Sequence, residues 1–140
     1  MRFLSLIAVM LLPITAFAET NDPSGLVTGA WASGDTPDAC DTAPITHFMS
    51  DGVVAVFLSK DGDLHSLGSW DVKDDRLSMT HNDFPLKGDG LSKDPVELTI
   101  LELSETQFAT ENSKGEKRSR IRCDHIELTL GHDHSGHGHD

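Results

Sequence analysis

The sequence predicts an all-β domain: an antiparallel meander that closes into a small barrel of about eight strands. Three observations support this fold class. Short apolar runs alternate with clusters of Gly, Asp, Asn and Pro at intervals of about ten residues, as is typical of strands joined by tight turns. No segment shows a sustained helical period. The stretch from Asp51 to Thr80 has the pattern of one continuous meander whose turns contain Asp-Gly steps.

Residues 1–18 have the features of a secretory signal peptide. The basic start Met1-Arg2 precedes an apolar run from Phe3 to Leu12, and Ala16-Phe17-Ala18 fits the small-x-small cleavage rule. The apolar run is too short for a stable membrane anchor. We therefore expect cleavage after Ala18, a periplasmic or secreted protein, and no membrane anchor after signal cleavage.

The barrel domain is expected to span residues 19–130 and to begin with a loose polar leader, Glu19–Ser24. A first strand follows at Leu26–Ala32, and the loop Ser33–Pro44 has room for a helical turn. Seven further strands are predicted from apolar or alternating runs bounded by turn residues, at Ile45–Met49, Val53–Leu58, Leu64–Val72, Arg76–Thr80, Val96–Leu103, Gln107–Thr110 and Lys117–Leu130. Asn82–Pro95 is predicted to be a second long loop.

Two strands carry more specific signals. Trp70 shares its parity with Leu64 and Val72, which favours a core aromatic over one that stacks on a ligand. Gly68 on the same strand indicates either room for a large neighbouring ring or a strand bend. In Val96–Leu103 the apolar alternation changes parity after Ile100, and we expect a bulge there.

Charge and motif content exclude several functional classes. The chain has 11 Lys and Arg against 23 Asp and Glu, a formal net charge of −12, which argues against nucleic acid and anionic membranes as partners. It contains no Gly-x-Ser-x-Gly and no His-Glu-x-x-His motif. We therefore predict a non-enzymatic protein.

The two cysteines, Cys40 and Cys123, are predicted to form a disulfide, because an even pair in an exported chain is usually oxidised. The bond would join the loop after the first strand to the last strand. A redox site would need closer spacing or a Cys-x-x-Cys pattern, which this sequence lacks.

Residues 131–140 hold four of the eight histidines. The intervening Gly, Ser and Asp predict a flexible, hydrophilic tail. Imidazole is the commonest protein ligand for zinc and similar divalent transition metals, and an aspartate can add an oxygen ligand. The predicted metal ligands are His132, Asp133, His134, His137 and His139. The alternative is a solvated tail without a binding role.

The other histidines, His47, His65, His81 and His125, are scattered over predicted strands, where surface positions are the usual case. We expect His65 to face solvent because its parity is opposite to that of Trp70. A metal site built from two or three of these four histidines inside the barrel is the less favoured alternative.

Gly29-Ala30-Trp31 on the first strand, followed by a meander of hairpins, resembles the opening of a lipocalin or calycin barrel. In that family the tryptophan closes one end of the barrel and an arginine of the last strand packs over its ring. Arg120 or Arg122 fits this role. The alternation of Arg118, Arg120 and Arg122 otherwise indicates a solvated strand face.

The sequence is also similar to exported zinc-handling proteins that join a His-rich segment to a lipocalin-like barrel. The first functional hypothesis is therefore an exported barrel whose His-rich tail binds zinc or another divalent metal. The alternative is an inhibitor or protein-interaction domain of the protease or lysozyme inhibitor type, with an envelope protein as partner. A carrier of a small apolar ligand is a third possibility.

Overall fold

The computed structural model describes residues 22–83, 94–126 and 128. Eight antiparallel strands form a closed barrel, which confirms the predicted fold class. The elements in chain order are α1 (Pro23–Val27), β1 (Gly29–Ser33), α2 (Ala39–Thr42), β2 (Ile45–Phe48), β3 (Val53–Phe57), β4 (Leu64–Lys73), β5 (Arg76–Asp83), β6 (Val96–Leu103), β7 (Gln107–Asn112) and β8 (Lys117–Arg122). None of the helices in these ranges is long and apolar enough to cross a membrane.

Each strand pairs with the next along the chain, and β1 pairs with β8 to close the barrel. Turn residues with positive φ lie in several of these hairpins. Gly52 between β2 and β3 has φ +84°, and Asp74 between β4 and β5 has φ +56°, as tight turns require. Gly62 between β3 and β4 has no positive φ, so this Asp-Gly step forms its turn without the left-handed conformation of Gly52.

The start of the domain differs from the prediction. Leu26 and Val27 belong to α1 and not to the first strand. Asp22 caps this helix by accepting a hydrogen bond from the Ser24 amide at 3.1 Å, and Pro23 occupies the first turn. An Asp-Pro pair at this position is a helix-start signal, because proline costs nothing where the amide has no helical acceptor.

The end of the domain also differs, because β8 ends at Arg122 and not at Leu130. Because the residues before Gly29 belong to α1, β1 has few residues with which a longer β8 could pair. Cys123 is instead bonded to Cys40 of α2, and the chain turns at Asp124 and His125.

The barrel interior is filled largely by one apolar cluster, whose buried members are Val27, Trp31, Phe48, Val54, Trp70, Leu77, Met79 and Phe108. Trp70 is therefore a core residue, as predicted, and its ring meets that of Phe48 edge-on at 5.3 Å between centroids. A second cluster lies on the outer wall beneath α2 and consists of Ala32, Ala39, Cys40, Ile45, Ile121 and Cys123. Both faces of β1 and β8 are thus covered.

The two irregularities expected in the strands are present. The register of β6 against β7 shifts between Ile100 and Glu102, which confirms the bulge. At Gly68 the neighbouring backbone of β5 comes so close that a Cβ would overlap the carbonyl oxygen of Thr80 and lie 2.9 Å from the Cα of His81. The glycine therefore makes room for backbone and not for a large ring.

Candidate functional site

Three arginines line the inner face of β8. Arg122 pairs with Trp31 and Arg120 with Ser33 in the β1 register, and Arg118 pairs with Thr110 in the β7 register. Trp31 points into the barrel core, so strand alternation places all three arginines on the inner side. The interpretation of this arginine face as a solvated surface is therefore wrong for Arg120, which is buried, whereas Arg118 is exposed. The opposite face of β8, with Ile121, packs in the outer cluster.

Arg122 closes one end of the barrel. Its guanidinium carbon lies 4.3 Å from the centroid of the Trp31 ring, which confirms the predicted stacking and selects Arg122 over Arg120. It also donates to the carbonyl oxygens of Thr28 at 2.8 Å, Glu105 at 2.6 Å and Leu26. One charged group thus connects α1, β1 and the β6–β7 turn.

Trp31 and Gly29 determine how the Arg122 side chain can pack. The Trp31 Nε1 donates to the Val27 carbonyl oxygen at 2.7 Å, so the indole is fixed against the end of α1. Gly29 has φ +131°, and a Cβ there would overlap the Nη1 of Arg122. The glycine of the Gly-Ala-Trp tripeptide is therefore needed for the arginine to approach.

Arg120 lies deeper along the same face and is only 5% exposed. Its Nη1 donates to the Thr110 hydroxyl at 3.1 Å, and its guanidinium carbon lies 5.4 Å from the Phe108 ring centroid. Burial and, less strongly, the charge of Arg118 lower the pKa of Arg120 to about 10. The group therefore remains cationic at neutral pH.

Arg120 has no anionic neighbour among the described residues. The ion pairs between described residues, Lys60–Asp41 and Lys117–Glu111, do not include it. Its Nε is completely buried and has no hydrogen-bond partner in this part of the chain. The cation is thus held by one neutral hydroxyl and one aromatic ring.

Further polar side chains face the same interior. Thr46 pairs with the inward-facing Trp31 and therefore also faces inward. Ser66 lies on the same side of the barrel wall, because Thr46 pairs with Val56 and Val56 pairs with Ser66. Both residues are buried, as is Thr110. The interior is therefore apolar around Trp31 and Phe108 but includes hydroxyl groups and a guanidinium.

The disulfide between Cys40 and Cys123 is present, as predicted, with a Cα–Cα distance of 5.7 Å. Both cysteines are buried in the outer cluster, and Ile126 and Leu128 pack against it. Beside it, exposed Lys60 and Asp41 form a 2.6 Å ion pair, whose hydrogen bond lowers the pKa of Asp41. The disulfide has a structural role, because it fixes α2 and the end of β8 to the same wall.

The scattered histidines are not brought together. His65, His81 and His125 are exposed, and His65 faces solvent as predicted. His47 is half-buried on the outer face of β2, where burial holds its pKa below the ordinary value of 6.5 and its Nδ1 has no partner in the described structure. Residues 22–83, 94–126 and 128 contain no group of three or more potential metal ligands.

The predicted metal ligands of residues 131–140 and the predicted signal peptide lie outside the described residues. Comparison with known proteins adds no assignment, because no family model, curated protein or solved structure matches this chain. Sequence reasoning named Arg120 only as an alternative to Arg122 for the stacking on Trp31 and missed its burial. Its alternation with Arg122 was the available signal, since an arginine that packs over Trp31 places every second residue of β8 inside the barrel.

Proposed function

We propose that this protein is an exported, non-enzymatic binding protein of lipocalin-like architecture that captures zinc or a similar divalent metal with its C-terminal tail. The observation that carries the proposal is the composition of residues 131–140, where four histidines alternate with Gly, Ser and Asp. Imidazole nitrogens of this density are typical of metal-binding segments.

Capture would use the neutral imidazoles of His132, His134, His137 and His139, with the Asp133 carboxylate as an additional oxygen ligand. Glycine and serine between the histidines allow several ring nitrogens to approach one ion. Ordering of the segment costs conformational entropy, so moderate affinity and loose selectivity are expected. Protonation of the imidazoles below about pH 6 would release the ion.

The barrel supports this proposal as a scaffold. It closes by β1–β8 pairing and is fastened by the disulfide close to the end of β8. Leu128, shortly before the tail, packs against the outer cluster. A tail that continues from this wall would have access to metal ions without opening the barrel. The stacking of Arg122 on Trp31 favours the lipocalin-like architecture.

Calorimetric zinc titration tests the proposal with three proteins: the chain from Glu19, the same chain ending at Leu130, and a full-length variant with His132, His134, His137 and His139 all replaced by Asn. Only the first should bind zinc with measurable heat. The Asn variant keeps the length of the tail and controls for its mere presence. Equal zinc affinity in all three proteins would show that the tail does not bind the ion.

A further inference from the structure

Arg120 is a buried cation without a buried anion in the described structure, and this imbalance points to a ligand. The charged side chain that acts on its pKa is Arg118, which has the same sign. Burial of a charge is costly unless an opposite charge or hydrogen bonds compensate for its lost hydration. The Phe108 ring and the Thr110 hydroxyl offset only part of this cost.

Two nitrogens of the Arg120 guanidinium make no hydrogen bond to a described residue, and they lie on the same edge of the group. Nη1 is engaged by Thr110, whereas neither Nε nor Nη2 donates a hydrogen bond to any described residue. Nε and Nη2 form one edge of the planar guanidinium, and two parallel donors on one edge match the two oxygens of a carboxylate. Thr110 thus fixes Arg120 by one nitrogen and leaves a bidentate edge unoccupied.

We propose that the barrel interior binds the carboxylate group of a small organic acid at the Nε–Nη2 edge of Arg120. A single negative charge neutralises the single buried cation, whereas a phosphate dianion would leave an uncompensated charge inside the barrel. The apolar rings of Phe108 and Trp31 suit an acid with a short hydrocarbon substituent. The site is independent of the proposed metal-binding tail.

The competing explanation is that Arg120 only fills space and stacks on Phe108. The two explanations differ in what an anion does to the protein. A ligand that binds only the folded state raises the unfolding temperature further with each increase in ligand concentration, as the logarithm of 1 + [L]/Kd, whereas a space-filling arginine gives no specific response.

Thermal unfolding of the full chain should therefore be measured with acetate, hexanoate, phosphate and chloride at equal ionic strength. The proteins are the wild type, Arg120→Met and the control Lys114→Met. Lys114 is an exposed residue of the β7–β8 turn and gives the same change in net charge. A carboxylate at about one hundred times its Kd should raise the Tm of the wild type and of Lys114→Met by roughly 10 °C. Arg120→Met should show no shift with any of the anions.

Two outcomes of these scans would overturn the proposal. If Arg120→Met keeps the carboxylate-dependent shift, the acid binds elsewhere. If phosphate stabilises the wild type more than either carboxylate does, the assigned ligand class is wrong.

NMR of the wild type provides a readout that does not depend on the folding of a variant. The Nε–H resonance of Arg120 should move downfield when hexanoate is added, because a charge-assisted hydrogen bond deshields the proton. The Nε–H of Arg122 serves as an internal control, since it already donates to Glu105. An Arg120 resonance that stays in place at saturating hexanoate would contradict the proposal.

Discussion

Arg122 is the residue on which the closed end of the barrel depends, since its guanidinium contacts three separate segments. The carbonyl oxygens of Leu26, Thr28 and Glu105 all accept hydrogen bonds from it, and the Trp31 ring lies against its flat face. A lysine ammonium is a point charge without a planar fork, and therefore cannot reproduce this arrangement. A positive charge alone is therefore not sufficient at Arg122.

Arg122→Lys should lower the free energy of unfolding by about 3 kcal/mol, because at least one of the three carbonyl oxygens loses a charge-assisted hydrogen bond and the stacking on Trp31 is lost. Urea denaturation measures the change. Arg118→Lys, at an exposed position on the same strand face, is the matched control and should change the free energy by less than about 0.5 kcal/mol. Equal stability of the two variants would show that only the positive charge matters at Arg122.

His47 makes the stability of the fold depend on pH. Burial holds its pKa below 6.5 in the folded protein, so the unfolded chain binds the proton more readily. The contribution of neutral His47 is complete above the unfolded pKa. It is lost as the pH falls through 6.5 toward the lower folded pKa.

His47→Gln should therefore have a flatter stability profile than the wild type between about pH 7 and about pH 5. Denaturant midpoints measured across this range test the prediction. His65→Gln replaces an exposed histidine and should retain the slope of the wild type. An unchanged slope in His47→Gln would show that the proton is taken up elsewhere.

At the scale of the elements, the close contact between β4 and β5 depends on Gly68. A Cβ at this position would collide with the backbone of Thr80 and His81, which are held in the sheet and cannot move aside like a flexible side chain. Gly25 of α1 provides the contrast, because a Cβ there would meet nothing within 4 Å.

Gly68→Ala is expected to destabilise the protein by about 3 kcal/mol, through displaced backbone in the β4–β5 ladder. Gly25→Ala should be neutral or stabilising by up to about 1 kcal/mol, since alanine is the better helix former. Chemical denaturation of both variants makes the comparison. If the two substitutions have the same effect, the close approach of the strands at Gly68 does not limit stability.

The elements also show what the sequence could and could not predict. The β6 strand has the predicted bounds, Val96–Leu103, because its apolar residues alternate as far as Ile100 and Pro95 and Ser104 delimit it. The α1 helix was missed, because Leu26 and Val27 are apolar and sit beside a strand. The Asp22-Pro23 pair is the helix-start signal that distinguishes α1 from a strand.

For β8, alternation correctly grouped Arg118, Arg120 and Arg122 on one face but did not show which face lies inside. Charged residues normally face water, and the apolar Ile121 and Cys123 normally face a core. Here α2 covers the outer wall and gives these apolar residues a second core, which leaves the arginine face to the interior. Packing between distant segments, which alternation does not describe, decided the orientation.

At the scale of the whole molecule, the disulfide limits how far the unfolded chain can expand. It joins residues separated by 83 positions, so the closed loop contains most of the barrel. In the chain-entropy model a loop of this length corresponds to about 4.5 kcal/mol of stabilisation.

The double variant Cys40→Ala/Cys123→Ala should accordingly lose about 4 kcal/mol in free energy of unfolding. Wild-type protein unfolded in the presence of a thiol reductant should show a similar loss, whereas the reductant should not change the double variant. A double variant as stable as the oxidised wild type would mean that strand pairing and core packing alone hold the barrel closed.

We propose metal capture by the tail and a structural or ligand-binding role for the barrel. Zinc titration followed by ¹H–¹⁵N NMR of the chain from Glu19 separates these regions residue by residue. Zinc should shift the signals of residues 131–140, above all those of His132, His134, His137 and His139, and leave the barrel signals in place. Zinc-dependent shifts at His47, His65, His81 or His125, with those of the tail unchanged, would contradict the proposal.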